Sequence, residues 1–357
     1  MNLRELVRLL ASGGPGFCQI ALTNACNARC RFCGFSDVPA SEQVMADAGR
    51  LLSGLAGLRA AGVRYLSLTG GEPLLHPALE EIIAAARQGG MATLLVTNAA
   101  RLSPEGLERL KGAGLGRLLI SVDAADPEVH DAHRGLPGLS RHIRDLLPLA
   151  ARLGLRPTAS VTLSRLTGDL FRLAAALKAQ GFAALTFSYP LTRLASPYLA
   201  AARDPLVEFA PEELKRLFQD LLQLKSASPL PLINTRFVLQ GLIRWLGGQP
   251  FPLPCLAGCR YFFIDWHLRV YRCHVLGERL GDLEDFPEIP AAPRPCTGCL
   301  SECYLDASAC QFLAVSLAQA REAFRTRRLR QGLGYLWQVA NLRSLAALWE
   351  SRHWLRQ

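Results

Sequence analysis

Apolar runs and amphipathic segments alternate along the chain from Phe17 to about Pro190. Six of the apolar runs have the length and composition of buried strands: FCQIAL (17–22), RYLSL (64–68), ATLLVT (92–97), RLLISV (117–122), RPTASVTL (156–163) and ALTFSY (184–189). The segments between them, such as HPALEEIIAAARQGG and TGDLFRLAAALKAQG, carry apolar residues at helical spacing and close on glycine. This alternation predicts a parallel α/β sheet covered by helices. Six units are too few for a closed eight-stranded barrel, so we predict an open, partial (β/α)6 barrel of the TIM type, with functional residues at the C-terminal ends of the strands.

The remaining segments differ in pattern from this alternating region. Residues 1–16 form a short amphipathic helix, and residues 203–250 form a helical connector that contains APEELKRLFQDLLQL. Residues 251–310 hold seven cysteines and little periodicity. Because such a segment cannot bury enough core alone, we predict a small metal-held module there. The predicted order is completed by the barrel core at 17–202 and a basic helical tail at 311–357.

Composition is that of an ordinary globular protein, with 50% apolar and 20% charged residues. No apolar run approaches the roughly 18 residues that a membrane span needs. Charges at Arg4, Glu5 and Arg8 distinguish the N-terminus from a signal peptide. Eleven cysteines, an odd number clustered at two ends of an unexported chain, favour metal ligation over a disulfide framework. We expect a soluble, cytoplasmic protein whose thiolates persist in a reducing compartment.

The charge of +10 is concentrated at the C-terminus, where residues 311–357 contain eight Arg and two Glu. Such a bias suits nucleic acid, an anionic membrane surface or a solvated helix face. A nucleic-acid role has little support because no recognition motif accompanies the charge. Apolar residues recur at spacings of three and four among these arginines: Leu333, Leu336, Trp337, Val339, Ala340, Leu342, Leu345, Leu348 and Trp349. This pattern is typical both of a helix docked on its own domain, which we favour, and of an interfacial helix at the inner membrane surface.

The stretch TNACNARCRFCGF (23–35) places Cys26, Cys30 and Cys33 directly after the first predicted strand. Thiolates are ligands for iron–sulfur clusters and for zinc. Zinc would need a fourth protein ligand, and this loop offers no histidine or further cysteine. Three thiolates on a four-iron cluster would leave one iron open to a substrate or cofactor.

This loop has the form C-x3-C-x2-C, and three further segments follow the next three predicted strands in order: LTGGEP (68–73), VTNAARLS (96–103) and ISVDAADPEVHDAHRG (120–135). Together they resemble the radical S-adenosylmethionine (SAM) superfamily. In that family the Gly-Gly-Glu-Pro turn holds the amino group of SAM. The resemblance therefore implies that Cys26, Cys30 and Cys33 ligate a 4Fe–4S cluster whose fourth iron binds SAM.

The same resemblance implies roles for residues near the loop. Phe32 would lie against the adenine, Gly70 and Gly71 would let the backbone approach the ligand, and Glu72 would accept from the SAM ammonium. Arg134 would pair with the SAM carboxylate. Further contacts to ribose or carboxylate are assigned to Asn98 and Ser121, for which ordinary turn and strand-end roles are the alternative. One-electron reduction by a partner such as flavodoxin or ferredoxin would cleave SAM to methionine and a 5′-deoxyadenosyl radical, which removes hydrogen from a substrate.

A second group of cysteines lies in the region 251–310: Cys255, Cys259, Cys273, Cys296, Cys299, Cys303 and Cys310. The segment CRYFFIDWHLRVYRCH (259–274) resembles the SPASM and Twitch extensions of radical SAM enzymes, which carry auxiliary iron–sulfur clusters. Leu268 stands where that family usually has glycine, and the later cysteines are more tightly spaced. Seven thiolates fall short of two full clusters, so we expect one or two clusters, with an open iron or spare cysteines. A zinc module is the alternative on spacing alone.

We predict separate roles for two residues near these motifs. His274 follows Cys273 and is a candidate general base, with a hydrogen-bonded structural histidine as the alternative. Cys18 lies on the first predicted strand and is expected to be a buried, inert thiol.

Three functions remain open from the sequence. A radical SAM enzyme acting on a small molecule, sugar or lipid-like substrate is favoured, because only about sixteen residues precede the core, where many peptide modifiers have a winged-helix-like domain. A peptide-modifying maturase is the second. The third is a non-catalytic zinc-binding adaptor with a basic tail that binds nucleic acid or membrane.

Overall fold

The computed structural model describes residues 3–11, 13–191, 194–286, 296, 299 and 301–355. Six parallel strands form the core: β1 (Gly16–Ala21), β2 (Val63–Thr69), β3 (Ala92–Thr97), β4 (Arg117–Val122), β5 (Thr158–Thr162) and β6 (Ala184–Ser188). All six predicted strands are present, with ends within two residues of those expected. Each strand pairs with the next along the chain, which confirms the partial α/β barrel.

Helices connect and cover these strands. They are α1 (Leu3–Ala11), α2 (Ala48–Ala60), α3 (Leu79–Gln88), α4 (Pro104–Ala113), α5 (Pro127–Arg134), α6 (Leu139–Arg152), α7 (Leu170–Gln180), α8 (Pro211–Ala227), α9 (Arg236–Leu246), α10 (Glu302–Arg325), α11 (Leu329–Leu336) and α12 (Val339–Glu350). Sequence signals set their ends: Ser103 and Asp169 accept hydrogen bonds from the first turns of α4 and α7, and both helices end at a glycine with positive φ.

Side chains alternate between the two faces of each core strand. On the outer face, Ile20, Leu66 and Ile120 pack beneath the helices and are fully buried. On the inner face, Tyr65, Leu94 and Leu119 form a separate apolar cluster inside the barrel. The inner face of the barrel is therefore separate from the main core, and its side chains can line a ligand-binding cavity.

The cysteine-rich region continues the same sheet. Strand β7 (Tyr261–Ile264) pairs with β1 in parallel, and β8 (Arg269–Tyr271) and β9 (Arg279–Asp282) follow in antiparallel order. The nine strands have the order β6-β5-β4-β3-β2-β1-β7-β8-β9. Thus β1, which leads into the three-cysteine loop, lies between the barrel strands and the hairpin that precedes Cys273.

The C-terminal segment is helical, and α11 and α12 both pack on α10. Helix α10 runs without a break across position 310, where the sequence pattern placed a boundary. Packing of α12 uses Asn341, Ser344, Ala347 and Leu348. Most of the apolar positions that we expected to be docked are exposed instead: Leu333, Leu336, Trp337, Val339, Leu342, Leu345 and Trp349. Across the described ranges, no helix is both long and apolar enough to cross a bilayer.

Candidate active site

A cavity of about 400 Å³ occupies the interior of the partial barrel. The three-cysteine loop and the loops after β2 to β4 surround one end of it, at the C-terminal ends of the strands. Alternate strand residues form its wall, and many carry a hydroxyl group: Ser67, Thr69, Ser121, Ser160, Thr162, Thr186 and Ser188. The sequence-based prediction of apolar strands did not include these inward-facing hydroxyl groups. Their signal in the sequence is serine or threonine at every second position of a strand.

The Gly-Gly-Glu turn after β2 holds the backbone of the three-cysteine loop. The amides of Gly71 and Glu72 donate to the carbonyl oxygens of Thr23 and Ala25, each at 2.8 Å. A Cβ atom at Gly71 would lie 2.0 Å from the oxygen of Ala25. Gly70 has φ +133°, and a Cβ atom there would lie 2.4 Å from the oxygen of Thr23. Both glycines line the cavity, but the close approach that requires them is to the protein's own loop.

All three thiols of the loop line the cavity, and Cys30 is buried while Cys26 and Cys33 are half-buried. None forms a disulfide. Burial raises the pKa of Cys30 to about 11 and that of Cys33 to about 12, and repulsion from neighbouring thiolates adds to both shifts. The positive charge of Arg134 opposes these pKa increases. Since iron binds thiolate, these three thiols would release protons on binding a cluster.

Glu72 is 1% exposed and lies at the same edge of the cavity. Its carboxylate accepts from the hydroxyl of Thr97 at 2.6 Å and from the amides of Asn98 at 2.8 Å and Leu74 at 3.0 Å. Burial raises the pKa of this carboxyl group against the effect of these donors. A carboxylate offers about four acceptor positions, so room remains for a ligand ammonium.

Phe32, Asn98 and Ser121 all line the cavity. The side-chain Nδ2 of Asn98 donates to Asn27 Oδ1 in the cysteine loop at 2.8 Å, so this side chain also holds the loop in place. Ser121 is half-buried on β4. Phe32 packs against the His133 ring with centroids 4.7 Å apart.

Arg134 is anchored by Asp123, a residue that the sequence interpretation did not single out. His130, His133 and Arg134 share one face of α5 and meet Asp123 at the end of β4. Arg134 Nη2 donates to Asp123 Oδ1 at 2.8 Å, and His133 Nδ1 lies 2.9 Å from Asp123 Oδ2. Asp123 is fully buried, yet the charge of Arg134 and the two histidines hold the pKa of its carboxyl well below the ordinary value. Both histidines and Asp123 stood in the motif at 120–135 that carried the resemblance.

These residues fit a cluster with SAM bound to it. Arg134 lines the cavity, and its buried Nε has no hydrogen-bond partner in the described part of the chain. A carboxylate is the group that such an Nε and the adjacent guanidinium nitrogens bind most strongly. One cavity, large enough for a small ligand, is therefore lined by three thiols outside any disulfide, the Glu72 carboxylate and the Arg134 guanidinium.

The second group of cysteines separates into two sets. Cys255, Cys273, Cys296 and Cys299 line one small cavity of about 20 Å³. Burial raises the pKa of Cys299 to about 12, and the other three thiolates add to that shift. The remaining cysteines lie elsewhere: Cys303 and Cys310 line the barrel cavity, and Cys259 is buried in the turn before β7. The structure thus brings four of the seven predicted ligands together.

Within the described ranges, no three His, Cys, Asp or Glu side chains converge closely enough for a single metal ion. Zinc–sulfur bonds of about 2.3 Å would bring the sulfur atoms of such a site close together.

His274 is buried and lines the cavity, with hydrogen bonds at both ring nitrogens. Nδ1 donates to Gln19 Oε1 at 2.8 Å, and the hydroxyl of Ser301 donates to Nε2 at 3.1 Å. Gln19 in turn donates to the hydroxyl of Tyr198 at 3.0 Å. Burial lowers the pKa of His274 to about 3, so the ring is neutral near physiological pH. Action as a base would require Nε2 to exchange the Ser301 hydroxyl for a substrate proton.

Cys18 is fully buried on β1 and does not line the cavity. Burial raises the pKa of its thiol far above the ordinary value. This environment is that of an unreactive thiol.

The geometry suits a protein that binds an open iron–sulfur cluster and SAM within a partial α/β barrel. A model of the radical SAM superfamily matches residues 20–168, which contain the cysteine loop, the Gly-Gly-Glu turn and the Asp123–Arg134 pair. Residues 20–168 therefore match the radical SAM superfamily, whose members use a 4Fe–4S cluster and SAM.

Relatives of known sequence match part of the chain. An AdoMet-dependent heme synthase of Methanosarcina barkeri is 39% identical over 120 residues, which are 33% of this chain and 34% of that protein. A GTP 3′,8-cyclase of Chlorobaculum tepidum is 37% identical over 115 residues, which are 31% of this chain and 34% of that protein. The chain thus spans about a third of the length of these two curated relatives.

Solved structures extend the likeness of fold to most of the chain. Streptococcus suis SuiB bound to the precursor peptide SuiA matches with a TM-score of 0.60 and 14% identity, over 80% of this chain and 68% of that one. The enzyme anSMEcpe with bound AdoMet and Cp18Cys peptide matches with a TM-score of 0.54 and 18% identity, over 76% of this chain and 78% of that one. The fold beyond the family match is therefore also shared with radical SAM proteins.

Proposed function

We propose that this protein is a radical SAM enzyme that abstracts hydrogen from a small, uncharged substrate held in the barrel cavity. When bound, the 4Fe–4S cluster and SAM supply reductive cleavage to methionine and a 5′-deoxyadenosyl radical. The observation that carries the proposal is the meeting of three unpaired thiols, Glu72 and Arg134 at one end of a cavity of about 400 Å³.

The chain's own residues would hold the cofactors in place. Cys26, Cys30 and Cys33 would ligate the cluster, and Glu72 would accept from the SAM ammonium. Arg134, fixed by Asp123, would bind the SAM carboxylate through the buried Nε that has no protein partner among the described residues. The Phe32 ring would lie against the adenine, while Asn98 and Ser121 would contact the ribose or carboxylate.

The cavity wall beyond these residues favours a small substrate with hydroxyl or other neutral polar groups. Its lining includes the row of serine and threonine side chains from β2, β4, β5 and β6. The carboxylate of Asp306, which also lines the cavity, already accepts from the amide and hydroxyl of Thr235 at 2.8 and 2.6 Å. Sugars and lipid-like molecules with a polar head suit such a wall.

The alternative within the superfamily is a peptide-modifying maturase. The fold likeness to SuiB with its precursor peptide raises this candidate. The sequence matches, in contrast, are to proteins named as a heme synthase and a GTP cyclase. We favour the small molecule because both names refer to small molecules; the neutral cavity wall alone supports an uncharged one.

We further propose one auxiliary cluster, ligated by Cys255, Cys273, Cys296 and Cys299. Support comes from the small cavity that these four thiols share and from the separation of the other three cysteines. Electrons would come from a reducing partner such as a flavodoxin or ferredoxin. His274 lies between this set and the barrel cavity, and we propose that it positions Gln19 and Tyr198 rather than acting as the base.

The proposal is tested by release of 5′-deoxyadenosine from SAM by the anaerobically reconstituted, reduced protein. Cys30→Ala should lose this release and the iron of the first site, because two thiolates do not hold the cluster. Cys18→Ala is the matched control, since that thiol is buried away from the cavity, and it should retain both. Release by Cys30→Ala at the wild-type rate, or none by cluster-loaded wild type, would contradict the proposal.

The substrate class is tested with extracts of cells grown in deuterated water. A small-molecule fraction and a peptide fraction are supplied separately, and deuterium in the released 5′-deoxyadenosine is measured by mass spectrometry. Label from the small-molecule fraction alone is expected. Label from the peptide fraction alone would favour the maturase.

A further inference from the structure

Helices α11 and α12 present apolar side chains to solvent. We define the α11–α12 surface by its eight exposed members: Leu329, Leu333, Leu336, Trp337, Val339, Leu342, Leu345 and Trp349. Trp337 is 85% exposed and Leu342 is 70% exposed. Single exposed apolar residues are normal, but a contiguous set along two successive helices marks a contact surface.

The packing of α12 leaves most of its large apolar residues facing away from the protein, while Ala347 and Leu348 are buried. Asn341 and Ser344 are buried against the rest of the chain, whereas Val339 and Leu342 are exposed. Ser344 accepts from the amide of Leu313 on α10 at 3.0 Å. The amide of Asn341 donates to the carbonyl oxygens at the end of α11, at 2.8 and 2.9 Å. A helix that only docks on its own domain buries its apolar face and exposes its polar face.

The outward residues form helical stripes. On α11, Leu329, Leu333 and Leu336 recur at spacings of four and three. On α12, Val339, Leu342 and Leu345 recur at a spacing of three, and Trp349 follows four residues later. Each stripe lies along one side of its helix.

The charge beside this surface identifies its partner. Between positions 321 and 330 the chain exposes five arginines: Arg321, Arg325, Arg327, Arg328 and Arg330. The acidic residue in that segment, Glu322, pairs with Arg325 at 3.2 Å. Glu350, at the end of α12, binds Lys225 at 2.6 Å and so adds no free negative charge to the surface.

We propose that the α11–α12 surface binds an anionic phospholipid bilayer, with both helices lying in the interface. Apolar side chains with tryptophan and arginine beside them are the composition that the headgroup region accommodates. Arginines next to the surface would be attracted by the negative headgroups. Nucleic acid would satisfy the arginines but would leave the apolar stripes in water.

The segment after α12 places this contact next to the barrel cavity. Trp354 and Leu355 line the cavity at the end opposite the cysteine loop. Their carbonyl oxygens accept from Arg117 at 2.9 Å and from Tyr65 at 2.8 Å. A bilayer at α12 would therefore lie a few residues from the cavity wall.

The test is flotation of the full-length, cluster-loaded protein with vesicles, without SAM. Vesicles of phosphatidylcholine alone are compared with vesicles that also contain phosphatidylglycerol, at low and high salt. We expect binding to the anionic vesicles that weakens with salt, and a blue shift of tryptophan fluorescence that Trp337→Phe reduces. Neither readout uses catalysis, so failure here is separate from failure of the proposed reaction.

Matched variants separate the two parts of the surface. Trp337→Gln combined with Leu342→Gln should weaken binding to anionic vesicles by at least about tenfold, as should Arg327→Glu combined with Arg330→Glu. Phe171→Gln and Arg172→Glu, at exposed positions on α7, are the controls and should leave binding unchanged.

Several results would overturn the proposal. They are no binding of wild type to anionic vesicles, equal binding to neutral ones, or equal loss in the α7 controls. A dimer in size-exclusion chromatography that Trp337→Gln with Leu342→Gln converts to monomer, without vesicle binding, would identify the surface as a protein interface instead.

Discussion

Gly71 shows how a single residue fixes the cysteine loop against the barrel. Its amide donates to Thr23, and the space where a side chain would stand is filled by the backbone of Ala25 and the Cβ of Cys26. The requirement is steric, because a Cβ there would lie 2.0 Å from one carbonyl oxygen and 3.1 Å from the cysteine. The position of Cys26 thus depends on the absence of a side chain at Gly71.

Gly71→Ala should displace the loop and lose the first cluster. Overpacking of this kind costs about 1–3 kcal/mol of unfolding free energy. Gly112→Ala is the control, since a Cβ there meets nothing within 4 Å, and it should be neutral or stabilising by up to about 1 kcal/mol. Iron content and denaturant unfolding measure both effects, and a Gly71→Ala protein with full iron and unchanged stability would contradict this account.

In the turn between β7 and β8, backbone strain and side-chain burial have opposite effects on stability at one residue, Leu268. Leu268 has φ +62°, a conformation that favours glycine. Asp265 supports the turn by accepting from the amides of His267 and Arg269, each at 3.0 Å. Yet Leu268 is fully buried and belongs to the main core.

Leu268→Gly should destabilise the protein, although glycine adopts this left-handed conformation without strain. Relief of the left-handed conformation gains about 1–2 kcal/mol. Loss of a buried leucine costs about 2–5 kcal/mol, and the freedom of glycine in the unfolded chain costs about 0.5–1 kcal/mol more. We expect a net loss of about 0.5–5 kcal/mol in denaturant unfolding.

Arg327→Gly is the comparison for that substitution. Arg327 has φ +59° but is exposed, so no core is lost. The unfolding free energy of the Arg327→Gly protein should stay within about 1 kcal/mol of the wild-type value. A Leu268→Gly protein more stable than wild type would mean that backbone strain outweighs burial at this turn.

At the scale of the molecule, one strand connects the two cysteine sites. Strand β1 pairs with β2 on one side and with β7 on the other. The first site follows β1 along the chain, and the hairpin of β7 and β8 leads to Cys273. Both sites are therefore parts of one continuous sheet.

Loss of a ligand from the four-cysteine set should remove one cluster and leave the other. Cys273→Ala should lower iron from about eight to about four per chain, while the first site still binds SAM. Cys259→Ala and Cys310→Ala should keep all the iron, because both thiols lie outside the shared cavity. Iron and sulfide analysis with electron paramagnetic resonance measures this, and an equal loss in Cys259→Ala would show a different ligand set.

The sequence alone determined the local elements and the first site. Six strands and their helices were predictable because periodicity and glycine stops are local signals. Cys26, Cys30 and Cys33 are close in the chain, and parallel strands bring the segments that follow them to one end of a barrel. Asp123 was within reach of the same reasoning, since it stands in the motif with Arg134.

The tertiary structure decided what depends on long-range packing. Spacing could not divide seven cysteines into four that meet and three that do not, because that depends on how β7, β8 and α10 are placed. The helical pattern of the tail has two solutions of equal periodicity, one with its apolar side inward and one with it outward. Burial of Asn341 and Ser344 selects the second. Ser344 accepts from an amide of α10, the side-chain nitrogen of Asn341 donates to the end of α11, and most of the large apolar side chains face outward.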